Sequence, residues 1–190
     1  MEQTLSPNLI KSTMTYGAIL GIIIVIYSLI LFILNIMPVG FLFPGILFII
    51  STAIYFTTIF IFTKKIRNES FGGSITYGQG LLIGLLIGFF AAIITSFYTY
   101  LQNAIIDPEY MTRYINAQKT WMAGFLNGKL PEAKIEEALA QIDEKVKNYN
   151  VLTTSLQAII WSTVWAFIVS LVTSAFLKKK ANPLENGQTT

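Results

Sequence analysis

Residues 72–108 read GGSITYGQGLLIGLLIGFFAAIITSFYTYLQNAIIDP, and from Ser70 to Ile106 there are 37 consecutive positions without a charge. A helix that crosses the hydrocarbon core of a bilayer needs only about 20 apolar residues. Gly80, Gly84 and Gly88 step by four, and Ala92 continues the step. Four residues return to nearly the same helical face, so one side of this helix carries a groove almost free of side chains. In lipid, where apolar burial no longer drives association, such grooves let helix backbones approach closely. The stretch therefore predicts a transmembrane helix around which the others pack.

Working outward, two further uncharged runs cover Ser12 to Thr63 (52 residues) and Asn148 to Leu177 (30 residues). The first is too long for one span and suits two, divided by Asn35-Ile36-Met37-Pro38-Val39-Gly40. With 54% hydrophobic and 12% charged residues, the chain reads as a polytopic membrane protein. The expected fold is all-α, with four transmembrane helices at about 12–34, 43–63, 75–103 and 151–177. A single membrane domain over 1–180 and a disordered tail over 181–190 complete the reading. The first span lacks a small-residue cleavage site and is expected to remain as an anchor.

Lys11, Lys64, Lys65, Arg67, Lys178, Lys179 and Lys180 are seven basic residues that four spans would place on one side. The positive-inside rule makes that side cytoplasmic. Both termini are then expected in the cytoplasm of a bacterial inner membrane, with the basic clusters against lipid headgroups. The 44 residues from Asp107 to Asn150 hold six basic and seven acidic residues and belong outside.

Asp107-Pro108-Glu109 predicts a helix start, with Asp107 as the N-cap. That helix ends near Asn127-Gly128, and its aromatics Tyr110, Tyr114, Trp121 and Phe125 share one face. Pro131-Glu132 opens a second helix with an apolar stripe at Ile135, Leu139, Ile142, Val146 and Tyr149, and an Asp143–Lys147 pair one turn apart. An extracytoplasmic helical hairpin is the expected shape; the absence of Gly and Pro from 132 to 182 allows its second helix to continue into the last span, with Asn148-Tyr149-Asn150 the one weak point where it could break. In that span Ser162, Ala166 and Ser170 repeat the four-residue step, as do Gly17 and Gly21 in the first, a spacing that suits either a contact with the Gly80 face or ordinary close packing of two helices.

Chemistry is sparse. The chain has no cysteine and no histidine, which removes disulfides, thiolate and imidazole metal sites and histidine bases. No span core carries Asp, Glu, Lys or Arg, so proton relays and intramembrane acid–base catalysis lack their groups. No catalytic, cofactor or metal residue is expected, and no nucleic-acid partner. Gln79, Asp107, Tyr110, Tyr114, Trp121 and Phe125 stand as partner or ligand contacts, each with an alternative as a helix cap or packing residue. The expected role is a non-enzymatic scaffold or accessory subunit for another membrane protein, or a homo-oligomer. The alternative is an oligomeric carrier of small solutes or lipid.

The motif Gly72-Gly73-x-Ile75-x-Tyr77-Gly78-Gln79 and the pair Asp107-Pro108, with four spans in these positions, resemble the domain of unknown function 4199 family of Bacteroidetes membrane proteins. The resemblance covers about residues 6–180. It implies a multi-pass inner-membrane protein and brings no activity, cofactor or catalytic residue.

Overall fold

The computed structural model describes residues 6–147 and 149–179. It contains six α-helices: α1 (Pro7–Ile33), α2 (Leu42–Ser70), α3 (Tyr77–Leu101), α4 (Tyr110–Leu126), α5 (Glu132–Lys147) and α6 (Val151–Leu177). A π-helical turn, Gln102–Ile106, extends α3. Four helices are long and apolar enough to cross a membrane, with α3 and the π turn together counting as one 30-residue span. Their outer faces carry large exposed apolar side chains, among them Ile26, Ile49, Phe97, Trp161 and Phe176. A helix apolar all round is a membrane helix or a core helix.

The ends of the helices follow local chemistry more closely than charge. α1 starts at Pro7, where Ser6 accepts the Leu9 N–H at 3.3 Å. The Ser-Pro pair is an N-cap followed by a first-turn proline, and it begins the helix five residues before the uncharged run. α2 continues through Lys64, Lys65 and Arg67 to Ser70, because charges at a membrane edge do not break a helix. It stops where Gly72 and Gly73 take φ of +58° and +84°. α3 opens with a capping box: Gln79 N–H donates to Thr76 Oγ1 (3.2 Å), and Thr76 N–H donates to Gln79 Oε1 (2.9 Å).

One open alternative is decided here and one expectation is corrected. The last span is not continuous with the helix before it, because Asn150 adopts extended backbone (φ −123°, ψ 118°) and its side chain accepts the Thr153 N–H at 3.0 Å. An asparagine N-cap ends one helix and begins the next without help from Gly or Pro. Asp107 is not the N-cap of α4 either. Asp107 sits at φ −149°, ψ 79°, its N–H closing the π turn on Gln102 O at 2.8 Å, and Pro108 and Glu109 form a turn between it and the first helical residue. α4 starts three residues later, behind Glu109, which makes no side-chain cap.

α3 packs most extensively on α6 and next on α1, while α2 lies against α6, α1 and α3 with thinner contacts. The core gathers Leu20, Ile59, Ile83, Ile87, Ala91, Ala166 and Val169. A Cβ added at Gly80 would lie 3.3 Å from Ser174 Cβ, one at Gly84 would lie 3.0 Å from Ser170 Cβ, and one at Gly88 would overlap Ala166 Cβ. The two small-residue rows thus run antiparallel, four residues up α3 for four down α6. Ala92, next in the row, is fully buried. Gly17 and Gly21 do not meet this face. A Cβ on them would strike Phe90 Cβ (2.5 Å) and Ile87 O (2.7 Å), or Ile94 Cβ (2.9 Å). α3 is therefore gripped from two sides, and its glycine face was already taken by α6.

Candidate functional site: a hydroxyl-lined intramembrane cavity beneath α4

Polar side chains from four helices gather around two cavities at the end of the bundle nearer α4. On α3, Thr95, Ser96, Tyr98, Thr99, Gln102 and Asn103 recur at intervals of three and four, which sets most of them on neighbouring faces of one helix. Tyr27 and Ser28 of α1, Ser51 and Tyr55 of α2, and Ser162 of α6 meet the first four of them around a cavity of about 280 Å³. A second cavity of about 260 Å³ lies next to it, with Phe32, Pro38, Gln102, Asn103, Tyr110 and Met111 in its wall. Ser28 and Thr99 line both.

Part of this polarity serves the fold. Thr95, Thr99 and Ser51 return their hydroxyls to carbonyls one turn back, at 3.1, 2.9 and 2.9 Å. Tyr27 OH donates across to Leu47 O on α2 at 3.3 Å. Ser96 donates to Ser155 O and ties α3 to α6. Asn103 donates to Thr99 O at 2.8 Å, but its Oδ1 is buried without a partner, as are Tyr98 OH and Ser155 Oγ. Most buried polar atoms in a folded protein are paired; Thr63, Ser170 and Ser174 toward the other end of the bundle and Thr52 of α2 are also unpaired, but Tyr98 and Asn103 are the ones that line these cavities.

α4 covers the outer cavity and is held by the α1–α2 loop. Gly40 N–H donates to Gln118 Oε1 (3.3 Å), while Gln118 Nε2 donates to Pro38 O (3.1 Å) and Tyr114 OH (3.0 Å). The Trp121 ring lies against Gly40, 3.0 Å from where a Cβ would be, at a residue with φ +87°. Only glycine meets both conditions without strain. Phe41 packs edge-on to Trp121 (4.7 Å between centroids) and Phe125 (5.6 Å), and Phe32 edge-on to Tyr110 (6.0 Å). The aromatic face read as a docking surface is therefore largely occupied by the chain's own loop.

The other singled-out residues are placed as follows. Gln79 is spent in the capping box at the far end of α3. Asp107 pairs with Arg113 one turn into α4, at 3.0 Å on one oxygen and by a second, shorter contact on the other. That hydrogen-bonded guanidinium, helped by the amides of Glu109 and Tyr110, holds the Asp107 carboxyl below its ordinary range. The sign follows: a lowered folded-state pKa stabilises the pairing at pH above the unfolded value and is lost as pH falls through the folded one. Hydrogen exchange of residues 107–117, corrected for intrinsic rates, should therefore lose protection in acid below about pH 4, and Asp107→Asn should abolish that acid step. An unchanged acid step in the variant would exclude the pair as its cause.

Asp143 bonds Lys119 of α4 at 2.5 Å rather than Lys147. At the opposite end of the bundle, Arg67 donates to Leu177 O at 3.3 Å and so caps α6. Lys65 lies 5.4 Å over the Tyr16 ring and 3.9 Å from Glu69. Lys64 and Lys178 are exposed; Lys179, also exposed, bonds Ile75 O through its backbone at 3.0 Å. Lys180 and the 181–190 tail lie outside the described residues. Among the described residues no cluster of His, Cys, Asp or Glu could hold a metal ion.

A family model described as a protein of unknown function (DUF4199) matches residues 15–179. The chain belongs to that family. This is the family indicated by Gly72–Gln79 and Asp107-Pro108. No curated protein and no solved structure matches the chain. The DUF4199 region takes in most of the first span, the other three spans, the cavity and the contacts that hold α4. The cavity residues were missed in the sequence because Tyr27-Ser28, Ser51-Thr52 and Tyr55 are short polar interruptions of apolar runs. The polar 95–103 segment of α3 was the one available signal.

Proposed function

We propose that this DUF4199 protein is a non-enzymatic scaffold or accessory subunit of the bacterial inner membrane. Both termini and the basic flanks face the cytoplasm, and α4 and α5 project outside to engage another membrane protein. The observation that carries this reading is the incomplete packing of those two helices. α4 has no fully buried residue, and α5 makes its main contacts with α4 alone. Between them lies a groove of about 570 Å³ whose floor includes Ala123, Gly124, Leu130, Ile135 and Leu139, with Glu132 and Glu136 at the rim. Two helices bury too little surface to stand as a unit, and a partner helix on this groove would complete it. The absence of histidine and cysteine, and of charge in the span cores, supports a role without catalysis.

Purification from the native host in mild detergent should recover one stoichiometric membrane partner, and Ile135→Glu with Leu139→Glu should release it. A lone, monodisperse protein would overturn the proposal. Orientation is tested on the natural cysteine-free chain. Ala138→Cys should react with an impermeant maleimide in intact cells, and Ser70→Cys only after lysis.

A further inference from the structure

The two cavities that share Ser28 and Thr99 are uncharged throughout. Facing them, Tyr98 OH and Asn103 Oδ1 are buried without a hydrogen-bond partner among the described residues, and the hydroxyls of Ser28, Tyr55 and Ser162 line the same walls. A bound charge would meet no counter-charge in a low-dielectric site, so the ligand chemistry is neutral. Hydroxyls both donate and accept, and a lone amide oxygen asks for a donor. A ligand rich in hydroxyl groups answers both demands, whereas a pure acceptor leaves Asn103 unsatisfied.

Depth adds a second constraint. At about 1.5 Å per residue, Thr95 to Thr99 lie roughly 5–11 Å from the middle of the Tyr77–Ile106 span. That is below the headgroup boundary of a bilayer whose hydrocarbon half-thickness is about 15 Å. The wall between the hydroxyls is aliphatic, with Ile24, Val25, Leu31 and Ile36. This is space for hydrocarbon attached to the polar group.

We propose that this cavity binds an uncharged glycerol-type polyol group, most favourably as the head of a neutral glycerolipid that enters from the membrane with its acyl chain along the aliphatic wall. This site is separate from the α4–α5 groove and stands or falls independently of the scaffold reading.

The test uses the full chain in nanodiscs of phosphatidylcholine, with and without a few mole per cent of monoolein, read by native mass spectrometry. The wild type should retain monoolein. Tyr98→Phe combined with Ser162→Ala, each removing one hydroxyl, should lower its occupancy about tenfold. Ser28→Ala on a different helix should lower it in the same direction. Thermal unfolding of each variant separates loss of binding from loss of fold, and Ser28→Ala removes too little volume to unfold the bundle. Glycerol added to phosphatidylcholine discs is the second arm: binding of glycerol without monoolein would keep the polyol site and assign its source to water. If neither binds, or if occupancy is equal in the wild type and all variants, the cavity holds water only and the proposal fails.

Discussion

Gly88→Leu should prevent the four-span bundle from forming. At this position α3 and α6 approach so closely that even one Cβ would overlap Ala166 Cβ, and an alanine methyl has no rotamer that would move it away. Overpacking a well-packed interior costs about 1–3 kcal/mol and occasionally more, and leucine adds four carbons to a site with room for none. The expected loss is about 3 kcal/mol or more, comparable with much of a domain's net stability. The smaller substitution is more diagnostic. Gly88→Ala should cost about 1–3 kcal/mol, and adding Ala166→Gly should recover most of it. Recovery stays incomplete because glycine inside a helix costs about 0.5–1 kcal/mol relative to alanine.

Position along the row grades the effect. Gly80→Ala meets Ser174 Cβ at 3.3 Å and should be mild, Gly84→Ala meets Ser170 Cβ at 3.0 Å and should be intermediate, and Gly88→Ala should be worst. Unfolding in detergent, followed by the fluorescence of the three tryptophans, measures the series. Equal midpoints for Gly88→Leu and wild type would show that the helices are not joined through this row.

Trp121→Ala should free α4 from the bundle while leaving the four spans folded. Trp121 is the part of α4 that touches Gly40, Phe41 and Phe125 together. Truncating a buried tryptophan costs about 3–5 kcal/mol; this ring is half-buried, so the expected cost is nearer 2 kcal/mol. Gly40→Val attacks the same contact from the loop, through a β-branched residue at φ +87° and a clash with the ring. Residues held in such backbone regions cost about 1–3 kcal/mol each. Hydrogen exchange should show residues 110–126 losing roughly thirtyfold protection in either variant, with α3 and α6 unchanged. If α4 stays protected in both, the loop is not what holds it.

How far the sequence could be read depends on the range of the physics involved. Four spans were legible because an uncharged run longer than about 20 residues has few other stable homes. The 151–177 span was placed at its observed limits because Asn150 and Lys178 bracket it. The starts of α1 and α4 were misjudged, and the α5–α6 break was left open, where a short local signal competed with charge: Ser6-Pro7, the turn at Pro108-Glu109, and the Asn150 cap. Each is a hydrogen bond or steric effect within four residues, visible in principle in the sequence.

What the sequence alone determined about this protein is thus its content of helices, their apolar surfaces, and the rows of small residues that permit close approach. Tertiary structure alone decided which rows meet. Gly17 and Gly21 had no way to show, from spacing, that they would grip α3 at Ile87 to Ile94 while Ser170 and Ala166 occupied its glycine face. The same holds for the cavity, whose hydroxyls come from four helices as far apart in sequence as Tyr27 and Ser162. A helix pattern records which residues share its own face, but convergence between helices is set by packing, and packing is a property of the assembled bundle.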